Sequence, residues 1–178
     1  ADYMRLLDDC DVVVLSDYGK GGLAHIAQMI DLARERGRKV LVDPKGDDFS
    51  RYRGASVVTP NRTELRAVVG RWTSESDLER RAQALREQLG LDALLLTRSE
   101  EGMSLFQQGS VSHEPASARE VFDVSGAGDT VIAAVGVMLA SGASLAQAMR
   151  VANVAAGIVV GKLGTATVHL DELKAALV

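Results

Sequence analysis

Uninterrupted apolar runs at 12–15, 40–42 and 93–96, with a further strand at 57–59 that ends in Thr59, constrain the fold of this chain more than any other feature. A strand with one face in water alternates apolar and polar residues. A strand apolar at every position must be covered on both faces, which is the mark of a parallel sheet between helix layers. The intervening segments supply those layers: residues 23–36 carry apolar side chains at helical spacing, and 62–69 and 77–89 form two more helices after Pro60 ends the third run. A polar loop covers 44–54, and residues 1–9 read as the tail of a helix leading into the first strand. Residues 103–106 and 111–113, joined through Gln107-Gln108-Gly109-Ser110, read as a hairpin. The expectation is one α/β domain, a mostly parallel sheet covered by helices on both faces, with a β-hairpin addition.

Composition removes several classes of function. A chain of 178 residues with 47% hydrophobic and 25% charged content builds a globular core. A net charge of -4 and 4% aromatic residues leave no basic, aromatic-laced surface for nucleic acid. The lone Cys10 cannot form an internal disulfide, which with no signal peptide in view points to a reducing cytoplasm. Residues 130–149 carry no formal charge, yet Ser141-Gly142-Ala143-Ser144 interrupts them. Two packed helices, the second capped by Ser144, are expected there, and no membrane span.

The chemistry concentrates in Asp123-Val124-Ser125-Gly126-Ala127-Gly128-Asp129-Thr130, which opens the first of those two helices. Gly126, Ala127 and Gly128 put no bulk between the backbone and an incoming anion, and a helix N-terminus offers unpaired N–H groups and the positive end of the helix dipole. Asp129 then stands beside the anion, placed to accept a proton from a hydroxyl. A plain Gly-rich turn capped by Asp129 would account for the same residues. Asn61 and Glu64, in Thr59-Pro60-Asn61-Arg62-Thr63-Glu64, have the spacing of a helix capping box. Two lysine loops, Ser16-Asp17-Tyr18-Gly19-Lys20-Gly21 and Val42-Asp43-Pro44-Lys45-Gly46, follow the first two strands, where open α/β sheets bind ligands. Lys20 and Lys45 suit a phosphate; Asp17 and Asp43 suit hydroxyls or ion pairs with those lysines, the alternative being two polar loops.

The Asp123 to Thr130 stretch resembles the signature of the ribokinase-like (PfkB) carbohydrate kinases, with Val124 where that family usually has threonine. The resemblance implies that Asp129 is the catalytic base and that Gly126, Ala127 and Gly128 form the anion hole for the transferred phosphoryl group. It implies that Asn61 and Glu64 hold Mg2+ through water and that ATP is the donor. Thr97, Ser99 and Gly102 would line the nucleotide, with Ser99 replacing a usual glycine, and Asn153 would lie beside adenine and ribose. Asp123 and Gly164 would border a monovalent cation, K+. Asp17, Lys20 and Lys45 would serve a sugar-phosphate acceptor. The combined motifs look like the branch that phosphorylates the anomeric O1 of D-glycero-β-D-manno-heptose 7-phosphate, in ADP-heptose formation for lipopolysaccharide. Alternatives are a fructokinase- or ribokinase-type member and a non-catalytic nucleotide-binding fragment. On this resemblance the chain matches the C-terminal half of a kinase domain whose N-terminal half carries the lid. A homodimer and a fused adenylyltransferase domain are further implied.

Overall fold

The computed structural model describes residues 2–19, 21–117 and 121–177. Strand order in its six-stranded sheet equals chain order: β1 (Val12–Ser16), β2 (Lys39–Asp43), β3 (Val57–Val58), β4 (Ala93–Thr97), β5 (Met103–Gln107) and β6 (Ser110–Glu114). β1 to β4 are parallel, and β5 and β6 are antiparallel additions at one edge. The expected hairpin turns through Gln108 and Gly109, the latter at φ 71°, the left-handed conformation a two-residue turn needs.

The all-apolar strands do separate two cores. Val40 and Val42 face α2 (Ile26–Glu35), α3 (Arg62–Val69) and α4 (Glu75–Leu89), while Leu41 between them joins α5 (Ala127–Ala140) and α6 (Leu145–Val160) on the opposite face. All three are fully buried, each stabilising the fold by about 1.5–3 kcal/mol relative to exposure. Gly136 lets α5 lie close on the sheet, since a Cβ there would stand 3.4 Å from Val14. α1 (Asp2–Asp8) is the anticipated helix before β1.

Local chemistry sets the boundaries. The uncharged stretch divides as expected, and Ser144 and Gln147 form a complete capping box on α6. α4 starts at Glu75, two residues earlier than its pattern suggests, because Ser74 accepts a hydrogen bond from the Asp77 N–H at 3.1 Å. α2 starts at Ile26, not residue 23, after a turn in which Gly21 has φ 81°. α7 (Leu170–Leu177) is not anticipated by the pattern; Lys162 anchors its start, donating to Glu172 and to the Thr167 carbonyl, each at 2.8 Å. No helix among the described residues is long and apolar enough to cross a membrane.

Candidate active site at the carboxyl ends of the parallel strands

Because β1 to β4 are parallel, the loops after them share one edge of the sheet, and α5 begins at that same edge. A cavity of about 260 Å³ opens there, lined by Tyr18, Asp43, Asn61, Glu64, Gly128 and Asp129 among others. Gly126 is the N-cap of α5 at φ 79°, and no side chain caps the helix. The first helical bond runs from the Thr130 N–H to the Gly126 carbonyl at 2.9 Å, so the Gly128 and Asp129 N–H groups precede it. Of the amides expected to face an anion, that of Ala127 is directed at the Val124 carbonyl, 3.2 Å away. Asp129 accepts a hydrogen bond from the Tyr18 hydroxyl at 3.1 Å.

Across the cavity, Asn61 and Glu64 close the N-terminus of α3. The Asn61 side chain accepts from the Glu64 N–H at 3.0 Å, and Glu64 Oε2 accepts from the Asn61 N–H at 2.9 Å. Glu64 Oε1 meets Lys45 Nζ at 3.5 Å. Asp43 accepts from the Ser16 hydroxyl at 3.2 Å. Burial, opposed by that hydrogen bond and reinforced by the charges of Glu64 and Asp129, pushes its pKa up to about 6. Three carboxylates line one cavity, and among the described residues Lys45 pairs with one of them, Glu64, so they form a hard-oxygen set. That set suits hydrated Mg2+, which keeps most of its waters. No group of three or more His, Cys, Asp or Glu among the described residues is arranged to hold a metal.

A second, mainly apolar cavity of about 500 Å³ lies on the other side of the α5 turn. Ser99, Gly102, Val121, Val124 and Asn153 line it, and Thr97, Gly128 and Val131 border both cavities. The two spaces therefore meet at Gly128. Asn153 is almost buried on α6, its amide donating to the Pro115 carbonyl at 2.7 Å. Ser99 has φ 54°, a left-handed conformation for a residue with a side chain.

The acceptor-side residues are placed unevenly. Lys20 lies outside the described residues. Asp17 is 5% exposed, accepting from the Tyr52 hydroxyl at 2.8 Å and the Gly19 N–H at 2.9 Å, with Arg51 Nη1 at 3.5 Å. It therefore builds the loop from within, with the Tyr52 hydroxyl and Arg51 among its partners. Burial pushes the Tyr52 hydroxyl up to about 12, keeping it a donor. Asp123 is held below the usual carboxylate range first by the Ser125 N–H at 2.8 Å, with the Gly164 N–H adding to it. The Gly164 N–H thus lies near the Asp123 carboxylate, and an N–H cannot ligate a cation. Tyr18 beside Asp129 is the residue that sequence reasoning missed; the two are 111 positions apart, and only the membership of Tyr18 in a strand-end loop hinted at it.

Comparison with known proteins bears on the family and the fold. The description of the pfkB family carbohydrate kinases matches residues 6–172. The bifunctional protein HldE of Shewanella amazonensis is 59% identical over 172 residues, covering 96% of this chain and 36% of that protein. HldE of Alkalilimnicola ehrlichii is 58% identical over 176 residues, 98% of this chain and 37% of that protein. The chain thus spans little more than a third of the length of these relatives. Among solved structures, Arabidopsis thaliana ribokinase complexed with ribose and ATP superposes with a TM-score of 0.87 at 24% identity, covering 99% of this chain and 58% of that one. Phosphofructokinase-2 from Escherichia coli gives 0.82 at 21% identity, covering 97% and 59%. These two likenesses establish the ribokinase-like fold.

Proposed function

This chain belongs to the pfkB family of carbohydrate kinases, and we propose that it carries out ATP-dependent phosphorylation of the anomeric O1 of D-glycero-β-D-manno-heptose 7-phosphate. One observation carries the reading: Asp129 and the uncapped turn of α5 stand where an acid-lined cavity and a larger apolar cavity join at Gly128. The larger cavity suits adenine and ribose, against Ser99, Gly102 and Asn153. The acid-lined side suits the reacting hydroxyl.

Asp129 accepts the proton of O1 as the hydroxyl attacks, the Tyr18 hydroxyl giving up its hydrogen bond to the same carboxylate. The N–H groups of Gly128 and Asp129, with the end of the α5 dipole, receive the charge spread over the transferred phosphoryl oxygens. Asn61 and Glu64 would hold Mg2+ through water, and that ion would neutralise donor phosphate charge. Lys45, already paired with Glu64, links the metal side to the acceptor side. Sheet geometry does most of the work, since holding both reactants in line needs no covalent step.

The sugar assignment is supported by the high identity to HldE and by the five motif stretches at 16–21, 42–46, 59–64, 123–130 and 152–166. The same resemblance carries three wider proposals: a cytoplasmic location, a homodimer, and an adenylyltransferase domain in the complete polypeptide. An acceptor panel assayed with the complete protein, ATP and Mg2+ tests the function. Turnover is expected on the heptose 7-phosphate. Preference for an unphosphorylated pentose or hexose would overturn the sugar assignment, and ATP binding without turnover of any acceptor would favour a nucleotide-binding module.

A further inference from the structure

Behind the apolar cavity lies an ion-pair network that no step above uses. Arg98, 5% exposed, grips Glu75 on the first turn of α4 with both ends of its guanidinium, at 2.7 and 2.8 Å, and donates to the Ser104 hydroxyl at 3.1 Å. The same group pairs with Glu101, whose other oxygen pairs with Arg62. Arg62 directly follows Asn61, and the Thr97 N–H donates to the Pro60 carbonyl at 3.0 Å. Both carboxyls are held below their usual range, Glu75 first by its hydrogen bond from Arg98 and Glu101 first by that from Arg62.

What the network encloses is the tight turn from Arg98 to Gly102, and that turn is strained. Ser99 is the one non-glycine residue with positive φ among the described residues, and it faces the apolar cavity. The turn cannot relax downward, because β6 runs directly beneath it: a Cβ on Gly102 would lie 2.0 Å from the Glu114 carbonyl oxygen. A left-handed serine persists only where its surroundings over-determine it. Here the surroundings are the backbone bonds that close the turn, the Arg98 N–H to the Gly102 carbonyl at 2.8 Å among them, together with the Arg98 guanidinium bound to Glu75 outside the turn and to Glu101 within it.

We infer that Arg98 is a positioning residue for the nucleotide: its guanidinium, bridged through Glu101 to Arg62, holds Ser99 in the left-handed conformation that shapes the cavity wall and ties that wall to the Asn61 end of α3. The inference rests on the reading of the apolar cavity as the nucleotide site. It makes a specific demand on genetics. A glycine at position 99 adopts positive φ without penalty, so it should replace the constraint that Arg98 supplies.

The test uses the complete protein. Arg98→Ala is expected to raise the ATP dissociation constant by about tenfold, the factor corresponding to a left-handed serine left without support. The KM for the acceptor should stay within about twofold, since one 1.4 kcal/mol step is tenfold and no acceptor contact changes. Adding Ser99→Gly to Arg98→Ala should recover most of the ATP affinity. Unchanged ATP affinity in Arg98→Ala, an equal loss for ATP and acceptor, or no recovery in the double variant would each overturn the inference. If Arg98→Ala does not fold, Glu101→Gln cuts the bridge at a half-exposed site and should weaken ATP in the same direction; wild-type affinity there would overturn it too. Should the wild-type protein bind no ATP at all, the kinase reading fails, and hydrogen exchange then judges the network alone: the Gly102 amide should lose protection in Arg98→Ala, and unchanged protection would overturn the positioning role.

Discussion

The N-termini of α3 and α5 face the same cavity, and they are finished in opposite ways. At α3, Asn61 and Glu64 satisfy each other's backbone N–H groups. At α5, a left-handed glycine stands at the N-cap and no side chain reaches back. A cap is worth about 1 kcal/mol to a helix, so the α5 end forgoes stability that α3 and α6 both take. On the proposed function the difference separates scaffold from reacting centre: the closed end fixes two oxygen-bearing side chains where hydrated metal would sit, and the open end keeps its donors for a ligand.

Five substitutions bear on that contrast. Asp129→Asn should lower kcat by about 10² to 10⁴, the usual contribution of a positioned base, while calorimetry finds ATP affinity little altered; near-normal turnover would remove Asp129 from the proton transfer. Gly128→Ala comes next. A Cβ at Gly128 meets nothing within 4 Å, so the variant should fold and melt slightly higher, by the about 0.4–1 kcal/mol gained when a helical glycine becomes alanine. Its kcat/KM should nevertheless fall on the order of a hundredfold, because the methyl displaces the reacting group by about 1 Å. A stable variant with full activity would show that the open end receives no anion.

The capping boxes provide a matched pair. Asn61→Ala and Ser144→Ala should each cost about 1 kcal/mol in denaturant unfolding. Only the Asn61 variant should require more Mg2+ for half-maximal activity; equal Mg2+ dependence would reduce Asn61 to a cap. The smallest effect concerns Asp43. Its folded pKa is raised to about 6, so its contribution to stability is fully present below the ordinary carboxylate pKa and is lost as pH rises through about 6. Asp43→Asn, melted without divalent cation, should therefore gain stability over the parent at pH 8 and show little difference at pH 4. A gain independent of pH would mean that Asp43 does not carry the strain of the acid cluster.

Much of this arrangement was legible in the sequence, for reasons that differ by residue. Strand runs such as Val40-Leu41-Val42 announce burial on both faces through composition alone, and Ser144 and Gln147 declare a cap through local spacing. Asp129, Asn61 and Glu64 sit in motifs whose geometry is set within a single turn of chain. Tyr18 at Asp129, Arg51 at Asp17 and Arg98 at Glu75 were not legible, because each pairing is made by sheet topology between distant segments. α7 escaped notice since none of its side chains is buried, which leaves little apolar periodicity to read.

Strand order that equals chain order also has a consequence for synthesis. A chain emerging N-terminus first can lay each strand beside one already in place, so β1 to β6 and the α2 to α4 layer can assemble before α5 and α6 emerge. At that moment Asp43 and Glu64 are set, but Leu41, Val57 and Leu95 still face outward, uncovered by α5 and α6. The nascent chain thus passes through an interval in which one apolar face of the sheet is bare, and the same two helices that seal that face bring Asp129, the proposed base, to the strand ends.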